Sequence, residues 1–328
     1  MANLTTTDDL QRDVLDRGDE VTDGSSEYHG KVLEYLNRQQ QSIALGGCEI
    51  APELRDDWWW LQAYPPGILT LVSPITTGTV AVTQNSTAIT LSVAPAASVA
   101  GYGFRVTSDQ TVYRIATHTA GQQPATLDSV YVGSTDAVAA YTLLKQDYTL
   151  ANDVLRLTGP MRCTVSNEND DPYKIYSMAR DEIELEYPPL EMLTGVPEVF
   201  AVIAQATNVS GSSTAWTVRF NRGGRTTGQT RVEYEYLRLP PFLVGGGTEE
   251  PLIPLPYRHV LADAALYLLF VQKNDARADT VGLSAKAGLQ AMAREHRTRL
   301  ARGSELMGQL RPRSTETRRR RLWSVWRA

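Results

Sequence analysis

Cysteine is almost absent from these 328 residues: Cys48 and Cys163 stand alone and far apart. Two thiols cannot build a disulfide framework, and their separation excludes a four-ligand zinc knuckle, so both read as ordinary thiols. Histidine is nearly as scarce. His29, His118, His259 and His296 are scattered, and no His-x-x-x-His or Cys-x-x-Cys pair sets two ligands on one face, so no metal is expected. Long apolar runs are missing too: nothing approaches the ~18 uncharged residues that cross a bilayer, and Met1 to Asp23 is polar and acidic, unlike a signal peptide. The expectation is a globular chain made in a cytoplasm, with no membrane partner.

Catalytic signatures are lacking as well. No Gly-x-Ser-x-Gly elbow occurs, and Gly245-Gly246-Gly247-Thr248 lacks the lysine of a phosphate loop. Gly101-Tyr102-Gly103 lies among strand candidates with no helix behind it, so both glycine clusters read as turns. Asp56-Asp57 and Glu249-Glu250 are adjacent carboxylates that diverge on an extended chain and face water. Arg17-Gly18-Asp19 matches an adhesion tripeptide, but at a helix-to-turn junction chance explains it better. An enzyme is therefore not expected, nor is a cofactor.

What is present is a charge division. From Arg294 onward eleven arginines face Glu295, Glu305 and Glu316, a net of +8, which leaves −13 on the rest of a chain that carries −5. The end itself joins Arg318, Arg319, Arg320 and Arg321 to Leu322, Trp323, Trp326 and Arg327. Arginine pairs bidentately with carboxylate or phosphate, and tryptophan is enriched at interface hot spots, so this reads as a docking tail for an anionic partner. A solvated tail is the alternative. Trp58-Trp59-Trp60 is the second aromatic cluster. On an extended strand Trp58 and Trp60 would share a buried face and leave Trp59 outside, or the three would line a subunit interface.

Periodicity suggests an α+β chain. Thr6-Thr7-Asp8-Asp9 caps a short helix carrying Leu10, Val14 and Leu15, and Ser25-Ser26-Glu27 precedes a second with Val32, Leu33, Leu36 and Ile43, ending at Gly46-Gly47. Alternation then takes over, with a hairpin from Thr79 to Val93 and short strands at 104–107, 112–116, 129–132 and 141–144. Further alternation follows at 183–187, 215–220 and 231–236. After Pro254 and Pro256, Val260 to Val271 gives a broad apolar helix, then a turn at 275–279 and a long helix over 280–306. The expected architecture is a helical bundle formed by the N- and C-terminal helices (1–57 and 251–307). It carries an inserted antiparallel sandwich or barrel (58–147, its strands within 67–146), a second β-rich region (148–250) and an extended arm (308–328).

Several segments carry a resemblance. Asp13 to Glu20 leading to Val32 to Arg38, Gly78 to Ser86, Asp147 to Asp153, and Pro256 to Asp263 with its following helices resemble pieces of tailed-bacteriophage head-to-tail connector (adaptor) proteins. The likeness is one of pattern and order over most of the chain. It implies a structural protein of the virion neck, assembled in a ring of roughly twelve copies. Its C-terminal arm would dock on the portal protein, its lower face would receive tail or neck proteins, and genomic DNA would pass through without sequence-specific binding. Two rivals stay open: a β-rich tail spike or fibre module that binds carbohydrate, and a nucleic-acid binder using the arginine-rich tail, against which the acidic remainder counts.

Overall fold

Period-two burial builds the strands of this chain. The structure is a computed structural model that describes residues 4–46, 48–54, 58–109, 111–165, 172–187, 192–207 and 214–309. It divides into two units, one of Gln62–Pro241 and the other of Met1–Leu61 with Phe242–Ala328.

The first unit holds two seven-stranded sheets. The larger runs β1 (Gly67–Leu71), β15 (Thr230–Tyr234), β11 (Met161–Val165), β12 (Tyr173–Ser177), β13 (Val199–Thr207), β14 (Thr214–Phe220) and β9 (Asp147–Thr149), and of these pairs only β12–β13 is parallel. Inward residues such as Met161, Cys163, Ile175, Phe200, Val218 and Val232 make its core. The Val72 amide donates to the Tyr148 hydroxyl at 2.9 Å, which brings the end of edge strand β1 to edge strand β9. The second sheet runs β7 (Asp136–Ala139), β2 (Val80–Val82), β3 (Ala88–Leu91), β6 (Pro124–Leu127), β5 (Tyr113–His118), β4 (Gly103–Val106) and β8 (Tyr141–Leu144) around Val80, Leu91, Phe104, Ile115, Tyr131 and Leu143. Its outer strands β7 and β8 are joined by Ala140 alone, so the edges meet and the sheet curls toward a barrel. Among the described residues, a short pair, β10 (Val154–Leu157) with β16 (Tyr236–Arg238), and one α-helix, α3 (Arg180–Glu186), also belong to the unit.

The second unit is helical. In α1 (Thr7–Arg17) the Thr6 side chain and Asp9 form a reciprocal capping box. Helix α2 (His29–Leu45) buries Val32, Leu36 and Ile43 and stops at Gly46 with φ 70°. Helix α4 (Arg258–Lys273) is buried along most of its length and contacts α1, α2 and α5 (Ala278–Gln309). Gly288 lets α5 close on α4, since a Cβ there would lie 2.5 Å from Val260 Cγ2. Among the described residues no helix is long and apolar enough to cross a membrane.

The expected architecture needs correction. The chain is α+β but mostly β-rich, with two nearly closed barrel-like sheets and, among the described residues, five α-helices, and it is not a terminal helical bundle carrying one β insert. The physical reason is long-range pairing. The sequence pattern puts β1 in the insert, yet Gly67 pairs with Tyr234 and Leu71 with Thr230, so it belongs to the larger sheet and the smaller sheet is threaded between β1 and β9. The hairpin is present, with Val80 opposite Leu91 and Val82 opposite Ile89. Residues 129–132 form no strand, while Pro124–Leu127 and Asp136–Ala139, which gave no alternating signal, do. Residues 183–187, read as extended, lie in or directly after α3, where Arg180 pairs with Glu184 one turn away and only Ile183 is buried. The cap of α2 also differs: the helix starts at His29 behind Tyr28 with no side-chain cap, while the Ser26 hydroxyl accepts the Tyr28 amide and donates to Glu20.

Candidate functional site

The residues expected to form a docking tail, Arg318, Arg319, Arg320, Arg321, Leu322, Trp323, Trp326 and Arg327, lie outside the described residues. What the structure gives is the seat from which they leave: α5 and the helices it is locked to. Basic character begins on α5, where Arg294, Arg297 and Arg299 are exposed.

The tryptophan cluster sits against this helix. Trp59–Leu61 is a single 3-10 turn and not a strand, and the alternation argument for these rings therefore falls. Trp58 and Trp60 are buried all the same, with ring centroids 6.4 Å apart and stacked. The Trp58 indole N–H donates to the Ile43 carbonyl at 2.7 Å, pinning the cluster to the end of α2. On the other side the Trp59 amide donates to His296 Nδ1 at 3.3 Å, which selects the tautomer with hydrogen on Nε2. Trp59 is half-buried, and the Arg299 guanidinium lies 4.0 Å over its ring. Arg299 also pairs with Glu295, which accepts from the Tyr257 hydroxyl. That hydroxyl, and after it the guanidinium, hold the Glu295 carboxyl below the usual carboxylate range. Of the three rings proposed for a subunit interface, only Trp59 thus offers surface.

A second set of polar contacts ties the two chain ends together. Arg258 is 5% exposed and donates to the carbonyls of Ile253 at 3.2 Å, Pro251 at 3.3 Å, Leu4 at 3.4 Å and Thr5, and it pairs with Glu250 at 2.8 Å. Beside it, the Glu249 carbonyl accepts both the amide and the hydroxyl of Thr7. Arg17 reaches buried Asp263 at 2.7 Å, and the other Asp263 oxygen accepts from Ser284 of α5. Lys273 donates to the Gly18 carbonyl and to Glu20, whose carboxyl is held low chiefly by that lysine and then by Ser26. Arg277 bridges Asp19 and Asp275. The carboxylates considered as acid/base pairs are thus partly spent: Glu250 is in the Arg258 network, and Asp56 and Asp57 fall outside the described residues. Gly101 and Gly246 take the left-handed φ of turns, +82° and +67°. Among the described residues no group of three or more His, Cys, Asp or Glu could hold a metal ion.

Chemically this arrangement couples elements mechanically: ion pairs hold the α1 end to α4, the Ser284 hydroxyl ties α5 to Asp263 of α4, and an aromatic corner anchors α2 to α5. Sequence reading missed this network because the contacts that join the chain ends, such as Arg17 with Asp263 and Lys273 with Glu20, link residues more than two hundred positions apart; the only local hint was the acidic run Asp13 to Glu20. Comparison with known protein families and with curated proteins finds no match.

Proposed function

We propose that this chain is a structural head-to-tail connector of a tailed bacteriophage, docking on the portal ring through its C-terminal arm and offering a surface to tail or neck proteins. The observation that carries the proposal is the charge division placed on this geometry. A +8 segment runs out along α5 from a −13 remainder, and α5 is braced against the N-terminal helix through Asp263 and Ser284. An arm that must bear load between two assemblies needs a seat of this kind. Arginines would steer it onto carboxylates while Trp323 and Trp326, three residues apart, fill an apolar pocket. The acidic remainder suits a conduit for DNA, because like charge discourages adhesion to its wall. In this reading the chain performs no catalysis, works in the virion neck, and takes its copy number, roughly twelve, from the connector resemblance.

Assembly tests this. Each subunit contact is weak until neighbours and portal hold it in register, so mass measurement of the purified chain should give a monomer or loose oligomer, and imaging of the virion a closed ring. A stable trimer in both states would instead point to a spike. The arginines alone also admit a nucleic-acid binder, for which binding to bare DNA would fall steeply with salt.

A further inference from the structure

Where the two sheets of the β unit adjoin, the chain leaves β8 and enters β9 within two residues, and a cleft of about 240 Å³ opens there. It is smaller than the roughly 300–1,000 Å³ of pockets for drug-sized molecules, and suits a ligand of about one ring. Its polar wall is a locked array. Asp147 accepts from Arg219 Nε at 2.7 Å and Nη2 at 3.0 Å, and from Arg114 Nη2 at 2.6 Å. Asp128 accepts the Arg114 amide and the Ser129 hydroxyl, both at 3.1 Å. Glu184 lies 3.6 Å from Arg219 Nη1. Two guanidiniums are thus matched by at least as many carboxylates. An anion would meet no surplus cation, since both guanidiniums already sit on Asp147, while Asp128 is held by the Arg114 amide and the Ser129 hydroxyl and keeps acceptor capacity for a hydroxyl. Val112 and Leu144 add an apolar patch to the same cleft.

The glycine in this wall is informative. Gly103 lies in strand β4 with no left-handed φ, and the atoms nearest to a Cβ there would be the Leu144 carbonyl oxygen at 3.7 Å and Met192 Cε at 3.8 Å. Neither a turn nor crowding calls for glycine, and inside a strand it is less stable than alanine. Close approach of a ligand to the backbone is what such a position permits.

We propose that this cleft binds a neutral saccharide ring, its hydroxyls on the fixed Arg114, Arg219 and Asp128 groups and its C–H face on the half-buried Val112. Fixed planar donors and acceptors cut the ordering cost of binding a polyol, and the balanced charge selects against sugar acids and phosphates. The proposal is independent of the connector reading, since it concerns the β unit alone.

The test is saturation-transfer NMR on the full chain with glucose, galactose, mannose, rhamnose and N-acetylglucosamine, with glucuronic acid and inorganic phosphate as competitors. At least one neutral sugar should bind in the millimolar range, and Gly103→Ala and Arg114→Gln should each weaken it about tenfold while leaving the melting curve in place. Arg114 is half-exposed, so its loss does not open the core. Silence from all five sugars, tighter binding of glucuronic acid or phosphate, or unchanged binding in both folded variants would each overturn the proposal.

Discussion

Arg258 offers the sharpest test of how the helical unit is held. Its guanidinium is buried at 5% exposure and meets four main-chain carbonyls and Glu250, so Arg258→Met removes a charge-assisted hub and leaves acceptors on both chain ends unmatched. Glu250 is largely exposed and can be rehydrated, so the cost comes mainly from the carbonyls of Leu4, Thr5, Pro251 and Ile253. An unsatisfied buried acceptor costs about 1–3 kcal/mol, so losing the donor shared by these carbonyls should cost roughly 3–5 kcal/mol once water recovers part of them. At roughly 2–4 °C per kcal/mol for a unit of this size, the helical melt should fall on the order of 10 °C. Circular dichroism at the helical band reads the shift, and hydrogen exchange should show amides of α1 losing protection before those of α4. Arg258→Lys should fall between, because one ammonium keeps the charge but cannot span five acceptors. A methionine variant melting within about 2 °C of the parent, with α1 protection intact, would refute the idea that this hub joins the ends.

Two further outcomes follow from the same geometry. Asp9 accepts from the Thr5 hydroxyl and the Thr6 amide, which hold its carboxyl below the usual range. Its contribution is complete above the unfolded value of about 3.9 and lost as pH falls through the lower folded value, so Asp9→Ala should cost about 1 kcal/mol near neutrality and nothing in strong acid. A penalty independent of pH would disprove it. The second concerns the inserted sheet: replacing 73–144 by a short Gly/Ser linker should preserve the larger sheet, since Val72 already lies against Tyr148, whereas replacing 67–146 removes β1 and should unfold it. Equal melts for the two deletions would show that β1 is dispensable.

Legibility in the sequence followed the range of the interaction. Helices with a sustained apolar period, such as Leu10-Val14 and Val260-Leu261-Ala264-Leu268, could be read because their signal is local. So could the hairpin around Asn85, whose φ of 63° fits the turn. Helix α3 could not, because Ile183 is its sole buried residue and Leu185, 82% exposed, imitates strand alternation. Three residues are too few to tell a 3-10 turn from a strand, which is why Trp58 and Trp60 came out buried for a reason other than alternation. The partners of β1, the Arg258 hub and the cleft at Asp147 are set by contacts between distant segments and leave no periodic trace. The arginine-tryptophan tail was legible as composition alone.

That tail decides the central claim, and the direct measurement is tail attachment by a chain lacking residues 318–328. The truncated protein should fold as the parent does, yet fail to join the portal ring, so that electron micrographs show DNA-filled heads without tails. In binding assays Trp323→Ala with Trp326→Ala should be worse than changing Arg318 to Arg321 to lysine, because lysine keeps the charge and loses only the fork geometry. Heads carrying tails at the normal frequency with the truncated chain would contradict the account.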